Sequence, residues 1–555
     1  MIDWAGKLTR YPAEFVERYR SAGLWGSRPI GAEFHEMAVR RASHPAVVAE
    51  EGTLTYAELD LASDQLALGL IELGLVPGDR VMVQLTNRLQ STVAWYGLLK
   101  AGLIPVCTLA AHRAHEIGSI SRKVGARAHL VESTQSGFDL VAFAIEQQAG
   151  HPTLEHVLTI GALAEAPGTS IEQLISEADP ELARSCVADV QARIDPDEIV
   201  CLQLSGGTTG VPKVIPRLHA EYWYNARAYA EAGGWDDTTR VAHLIPIIHN
   251  AGITCGLHAV HSMGGTLVLG TPVLEQSLPL VARERTTDIL IGHGHFSFVD
   301  HPVFVDAMAS MRRVVLSGAK VSERIFTAIE DQNVWVGQKF GMGEGFFAMS
   351  TAKSTREARQ TTIGVPLSPY DEFRVLEPGT ECDVPDGEIG ELVCRGPYTL
   401  RGYFDAPDIN AAAFTSDGFY RTGDLVCART IDGERCLSVE GRIKDLINRG
   451  GEKVSAEEVE ALLERHPSIR AAAVVAMPDE RLGERACAYL ISEGEALTMR
   501  EVQDHLASLS VAKFKWPERL EWVPELPKTP VGKLDKRRLQ REIAAKLSHG
   551  QGAEA

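Results

Sequence analysis

The stretch LSGGTTGVPK (204–213) sets three glycines, two threonines, a serine and a lysine into ten positions. That mixture suits an anion. Glycines let backbone N–H groups approach phosphate oxygens, the hydroxyls of Ser205, Thr208 and Thr209 add donors, and Lys213 adds positive charge beside Gly206, Gly207 and Gly210. A P-loop needs Gly-Lys-Ser/Thr at its end, whereas here Pro212 precedes Lys213 and Val214 follows it, so that reading fails. A glycine-rich solvent turn is the remaining alternative. Downstream come GMGEG (341–345), YRTGD (420–424), GRIKD (441–445) and PKTPVGK (527–533), in that order. His293 and His295 form an H-x-H pair that lacks the further ligand spacing of a metal site.

These loops need a scaffold. The apolar run IVCLQL (199–204) reads as a buried strand that ends where the glycines begin. From Thr53 to Ala110, and again through VAHLIPI, GGTLVLG, DILIG and RRVVLSG, helical stretches alternate with short apolar strands. This rhythm predicts βα units, hence parallel sheets flanked by helices with ligands at the carboxyl ends of the strands. After Thr361 the runs DEFRVLEPG and GEIGELVCRGP, rich in turn residues, predict a β-barrel-like subdomain. Near 441 the segment GRIKDLINRGGEKVSAEEVEALLERHP carries adjacent glycines and a capping pattern, Ser455 backed by Glu458. A boundary is placed there, giving an N-terminal domain 1–443 and a small C-terminal α/β lobe 444–555.

The chain has 555 residues, 45% hydrophobic and 23% charged, the balance of a soluble globular protein with a sizeable core. Its net charge of −19 argues against nucleic-acid binding. Nine scattered cysteines without a C-x-x-C pair indicate neither a zinc ribbon nor a disulfide framework, and a cytoplasmic setting is expected. No apolar stretch is long enough to span a bilayer, and the N-terminus opens no signal core.

The five motifs together resemble the adenylate-forming superfamily of acyl-CoA synthetases, peptide-synthetase adenylation domains and luciferases, over essentially the whole chain. The stretches VIPRLHAEYWYN (214–225), IPIIHN (245–250), GVPLSPYDEFRV and RGPYTLRGYF look most like aryl acid AMP ligases acting on salicylate or 2,3-dihydroxybenzoate. The resemblance implies a ligase that uses ATP and Mg²⁺ to turn an aryl acid, of the 2-hydroxyaryl salicylate type, into an acyl-adenylate. The acyl group would then pass to a carrier-protein phosphopantetheine or to CoA. An acyl-CoA synthetase of primary or degradative metabolism and a non-catalytic nucleotide-binding scaffold are the alternatives.

By the same resemblance the loop from Ser205 to Lys213 covers the β- and γ-phosphates, and Glu344 holds Mg²⁺. Gly318, Ala319, Lys320, Phe340 and Gly341 lie along the adenine, with Asp424 on the ribose hydroxyls and Arg442 supporting the ribose from the far side of the boundary. Lys533 bridges the acyl carboxylate and the α-phosphate. Lys444 is the hinge about which the lobe turns, exchanging Lys533 for the Gly450–Gly451 face. The acid pocket takes His249, Asn250, Cys255, Lys339, Gly343 and Phe347, and His249 is counted with Lys533 and Glu344 among the catalytic residues. Of these, Asn250 meets an ortho hydroxyl, and Cys255 favours an unsubstituted 3-position. Relatives carry Val where Lys339 stands and a smaller aliphatic residue at Phe347, and GHGHF (292–296) replaces a proline-containing wall segment. Lys339 is expected to meet a ring nitrogen or polar substituent, or else to turn to solvent or a nearby acid.

Overall fold

The structure is a computed structural model. It describes residues 2–133, 137–161, 167–205, 212–318, 321–449, 452–479, 481–509, 511, 513–529 and 534–551. The chain divides into two compact units, Met1–Glu372 with Cys394–Tyr420, and Phe373–Val393 with Arg421–Ala555. The position 443/444 falls inside the second of these.

Two sheets build the larger unit. One has seven strands, in the order Thr169–Ser170, His156–Ile160, Ala128–Glu132, Arg80–Gln84, Ile104–Thr108, Ile199–Leu204 and Val214–Leu218. All its pairs are parallel except the last, the hairpin that encloses the glycine-rich loop. The second sheet has nine strands. Its parallel centre runs Trp335–Gly341, Arg313–Ser317, Asp288–Gly292, Arg240–His243, Thr266–Leu269 and Pro45–Ala49. Antiparallel strands close both edges, Gly52–Thr55 on one side, and Phe347–Met349 then Val365–Pro366 on the other. The strand Ile199–Leu204 is buried almost throughout, as a continuous apolar run requires when both faces are covered.

Between the sheets the helices Ile30–Arg40, Tyr56–Glu72 and Leu89–Lys100 pack apolar faces onto Val47, Val81, Val83 and Leu267 in one core. The helix Tyr56–Glu72 starts at a capping box in which Thr55 and Glu58 satisfy each other's backbone N–H. Polar groups tie the sheets together where strands end. Asn87, just after Arg80–Gln84, donates to Ile245 O at 3.0 Å and Gly270 O at 2.7 Å and accepts from Ile247 N at 2.7 Å.

In the smaller unit the strands Glu372–Leu376, Ile389–Arg395, Tyr420–Ile431 and Glu434–Arg442 form a sheet in that order. A second sheet there contains Glu452–Ser455, Leu446–Arg449, Gly483–Ser492, Ile469–Asp479 and Arg519–Trp522. The expected cap is present: Ser455 accepts from Glu458 N and starts the helix Ala456–Leu463. Among the described residues no helix is long and apolar enough to cross a membrane, and the cysteines are free.

Candidate active site

Five adjacent loops leave the carboxyl ends of parallel strands. Ser205 follows Ile199–Leu204, while Ile245–Asn250, Gly292–His295, Gly318 and Gly341–Glu344 follow four neighbouring strands of the nine-stranded sheet. Parallel register sets the ends of the last four along one edge of the nine-stranded sheet, where ligands of open α/β sheets sit.

Ser205 and Lys213 close the mouth of the glycine-rich loop. Ser205 N donates to Lys213 O at 2.9 Å, and Lys213 N donates to Ser205 Oγ at 3.0 Å. Gly206, Gly207, Thr208, Thr209 and Gly210 lie outside the described residues, as do Ala319, Lys320, Gly450, Gly451 and Lys533. From the mouth the Lys213 ammonium reaches over the Tyr403 ring, 4.5 Å from its centroid. The Tyr403 hydroxyl donates to Glu344 Oε1 at 2.9 Å and pairs with the Tyr420 hydroxyl at 2.7 Å. A lysine and a carboxylate therefore share one aromatic ring. Burial, then the Glu344 charge, pushes both tyrosines above the ordinary phenol range, so they remain neutral donors. Gly345 makes the turn behind Glu344 at φ +99°, with a Cβ excluded because it would lie 1.7 Å from Tyr398 O.

Glu344 has the chemistry to hold a divalent cation at this site. A half-buried carboxylate is a hard oxygen donor, and Tyr403 occupies Oε1 while Oε2 has no protein hydrogen bond among the described residues. The set fits Mg²⁺, which keeps several waters and takes few protein ligands.

The acid-pocket residues also converge. Asn250 starts a short helix capped by the exposed His249, whose Nδ1 accepts from Ala251 N at 3.2 Å. Its carbonyl oxygen accepts from Tyr222 Oη at 3.0 Å and Arg217 Nη1 at 3.3 Å, and its amide nitrogen donates to Met342 O at 3.5 Å. Two donors on the oxygen fix the amide with its N–H₂ group on the Met342 side, and a bond as long as the last leaves that group available to a better acceptor. Arg217 Nη1 also donates to Gly343 O at 2.9 Å, while Nη2 pairs with Glu221 at 2.7 Å. This arginine is 1% exposed, its guanidinium lying 4.4 Å from the Tyr222 ring centre.

After Asn250 the helix widens into a π turn over Ile253–Leu257, which contains Cys255. Lys339, Gly341, Phe347 and Met349 share one face of the edge hairpin, since Lys339 opposes Met349 and Gly341 opposes Phe347. The expected escape of Lys339 to solvent or to an acid does not occur. It is 4% exposed, its ammonium 3.7 Å from the Phe347 ring centre and beside the Cys255 thiol, with no carboxylate partner among the described residues. Burial pushes that thiol up, against the pull of Lys339. Phe340 is half-buried, 6.5 Å from the Phe346 ring, and Gly318 turns at φ +99° against His293.

In the second unit, Asp424 and Arg442 are cross-strand partners of one hairpin rather than residues on two sides of a boundary. Arg442 Nε lies 2.8 Å from Asp424 Oδ1. Lys444 is exposed in the short 3₁₀ turn Ile443–Asp445.

Sequence reasoning missed Arg217, Glu221, Tyr222, Tyr403 and Tyr420 as parts of the site. All five lie inside stretches quoted above, VIPRLHAEYWYN, RGPYTLRGYF and YRTGD, but nothing in those stretches assigned them individually to the site.

Family comparison places this arrangement. An AMP-binding enzyme domain matches residues 34–404, and an AMP-binding enzyme C-terminal domain matches 458–533. The chain is 37% identical over 550 residues to the 2,3-dihydroxybenzoate-AMP ligase of Bacillus subtilis, covering 98% of this chain and 99% of the relative. It is 36% identical over 552 residues to the salicyl-AMP ligase / salicyl-S-ArCP synthetase of Mycobacterium tuberculosis, covering 97% and 95%. The apo structure of Mycobacterium smegmatis MbtA superposes with a TM-score of 0.74 at 36% identity, covering 98% of this chain and all of that one. The chain belongs to the AMP-binding enzyme family.

Proposed function

We propose that this protein activates an aryl carboxylic acid with ATP and passes the acyl group to a thiol. The observation that carries the reading is the cluster in which Lys213 and Glu344 meet on Tyr403 while Arg217 links the Asn250 amide to Gly343, the residue before Glu344. An acid carboxylate oxygen attacks the α-phosphorus of ATP, forming an acyl C–O–P bond as the bond to pyrophosphate breaks. Anion meets anion in that step, so cations and donors must neutralise the developing charge.

The loop from Ser205 to Lys213 would hold the β- and γ-phosphates, and Gly318, Phe340 and Gly341 would line the adenine. Glu344 would hold Mg²⁺, which when bound supplies charge neutralisation at the phosphates. Asp424 would accept the ribose hydroxyls, with Arg442 supporting the same sugar. Lys533 is assigned to the reacting carboxylate and α-phosphate, and Lys444 to the pivot that replaces it by a thiol entrance. The acyl group leaves the adenylate for a thiol, the phosphopantetheine of a carrier protein or CoA, and AMP departs. The cytoplasm is the expected compartment.

Asn250 carries the choice of acid. Its amide N–H₂ group would donate to a hydroxyl ortho to the carboxylate, so salicylate is expected to exceed benzoate by about ten- to a hundredfold in kcat/KM, the cost of leaving a buried donor poorly matched. ATP–pyrophosphate exchange over aryl and aliphatic acids tests both levels. Equal rates for benzoate and salicylate would remove Asn250 from recognition, and exchange with aliphatic acids alone would overturn the aryl reading.

Tyr403 offers a separate test of the metal assignment. Tyr403→Phe removes the hydrogen bond that orients Glu344 and is expected to raise the Mg²⁺ concentration for half-maximal exchange about tenfold, as loss of a group orienting a metal ligand does elsewhere. An unchanged Mg²⁺ requirement would detach Glu344 from the metal.

A further inference from the structure

Lys339 stands out among the buried groups because it has no carboxylate partner among the described residues. The other buried cations with described partners are answered: Lys100 by Asp60 and Asp64 at 2.6 Å each, Arg217 by Glu221 at 2.7 Å. Around Lys339 lie the ring of Phe347, the ring of Tyr229 at 5.8 Å and the Cys255 thiol, which belong to one apolar cluster with Met349, Ala226 and Ala259. A thiol and two aromatic faces are weak partners for an ammonium, and an ion held in such surroundings without a strong acceptor is costly.

The placement of this cation follows from the hairpin. Alternation along Trp335–Gly341 sends Lys339 and Gly341 to the same face, and the missing side chain of Gly341 makes room for the ammonium: a Cβ there would lie 2.5 Å from Lys339 Nζ and 2.7 Å from the Phe347 ring. The next residues, Met342 and Gly343, are those whose carbonyls contact Asn250 and Arg217. Lys339 thus lies on the strand that ends at Gly341, and the Asn250 amide donates to Met342 just past it, with Cys255 beside the lysine in the π turn that follows the helix Asn250 begins.

We propose that Lys339 reads the ring of the acid, donating to a lone-pair acceptor on it, an aromatic nitrogen or an anionic oxygen substituent. The preferred substrate class is then an aryl carboxylate bearing such an acceptor in addition to the group met by Asn250. The acceptor completes the coordination that Phe347 and Cys255 leave weak, and an aryl acid without it leaves a buried donor unmatched. This deepens the reading of the acid pocket given above and rests on it.

The experiment scans acceptors around an otherwise constant ring. ATP–pyrophosphate exchange is measured with benzoate, with picolinate, nicotinate and isonicotinate, and with phthalate, isophthalate and terephthalate; 3-hydroxypicolinate is compared with salicylate. At least one acceptor-bearing acid is expected to exceed its parent by about ten- to a hundredfold in kcat/KM in the wild-type protein. In Lys339→Met that ratio is expected to fall to near one, and in Lys339→Arg to stay above it. A pyridine advantage assigns the acceptor to a ring nitrogen, a dicarboxylate advantage to an anionic oxygen. If no acceptor-bearing acid exceeds its parent, or if the advantage survives in Lys339→Met, Lys339 does not read the ring. Should Lys339→Met not fold, the wild-type ranking and Lys339→Arg still decide. Exchange with aliphatic acids but no aromatic acid would instead sink the aryl-acid reading itself.

Discussion

Lys533→Ala is expected to lower adenylate formation by at least about a hundredfold while leaving acyl transfer from supplied acyl-AMP to a thiol nearly intact. The expectation comes from where charge develops. As the acid oxygen approaches the α-phosphorus, negative charge gathers on oxygens between the two reactants, and a single preorganised donor at such a place is worth about 10²–10³ in rate. PKTPVGK ends in this lysine, the last residue matched by the C-terminal family domain. Thiol transfer builds charge elsewhere, on the acyl carbonyl and the departing phosphate, so it does not draw on the same ammonium. Single-turnover measurement of the two half-reactions separates these roles. Equal loss in both would mean that Lys533 holds the fold or the nucleotide rather than the reacting oxygens.

Chemistry that demands a residue type left a readable trace, and geometry that demands only a neighbour did not. Ser205 and Lys213 stood out because glycine-rich loops at strand ends carry few such groups by accident, whereas Glu344 and Asn250 were reached through the family resemblance of their motifs. The strands themselves were legible as apolar runs, and IVCLQL matches Ile199–Leu204 residue for residue. Their order was not. Pro45–Ala49 pairs with Thr266–Leu269 across more than two hundred residues, and no local pattern announces such a partner. The same holds for the site's supports: Arg217 meets Gly343 from 126 residues away, and Tyr403 meets Glu344 from 59. Lys339 lies between these cases. Its identity marked it as unusual, but only the pairing of Lys339 with Met349 and of Gly341 with Phe347 put its side chain under the apolar cluster instead of in water.

Arg217→Met should separate the stability of the site from its selectivity. Arg217 and Glu221 are 1% and 2% exposed and lie 2.7 Å apart, so removing the guanidinium leaves a buried carboxylate without its counter-charge. Breaking a buried pair from one side costs about 3–5 kcal/mol, whereas replacing both partners with apolar side chains of similar volume is often neutral or stabilising. Urea unfolding should therefore show Arg217→Met strongly destabilised and Arg217→Met/Glu221→Leu largely recovered. Selectivity should behave differently. Asn250 loses one of the two donors that fix its oxygen in both variants, so its amide can turn, and the preference for salicylate over benzoate should drop about tenfold in each. Gly343 O also loses its Arg217 bond at 2.9 Å in both, which loosens the strand end next to Glu344. A stable single variant would show the ion pair to be unimportant to folding. A double variant that regained stability and kept full preference for the ortho hydroxyl would show that Tyr222 alone orients Asn250, and that Arg217 serves the fold and not the choice of acid.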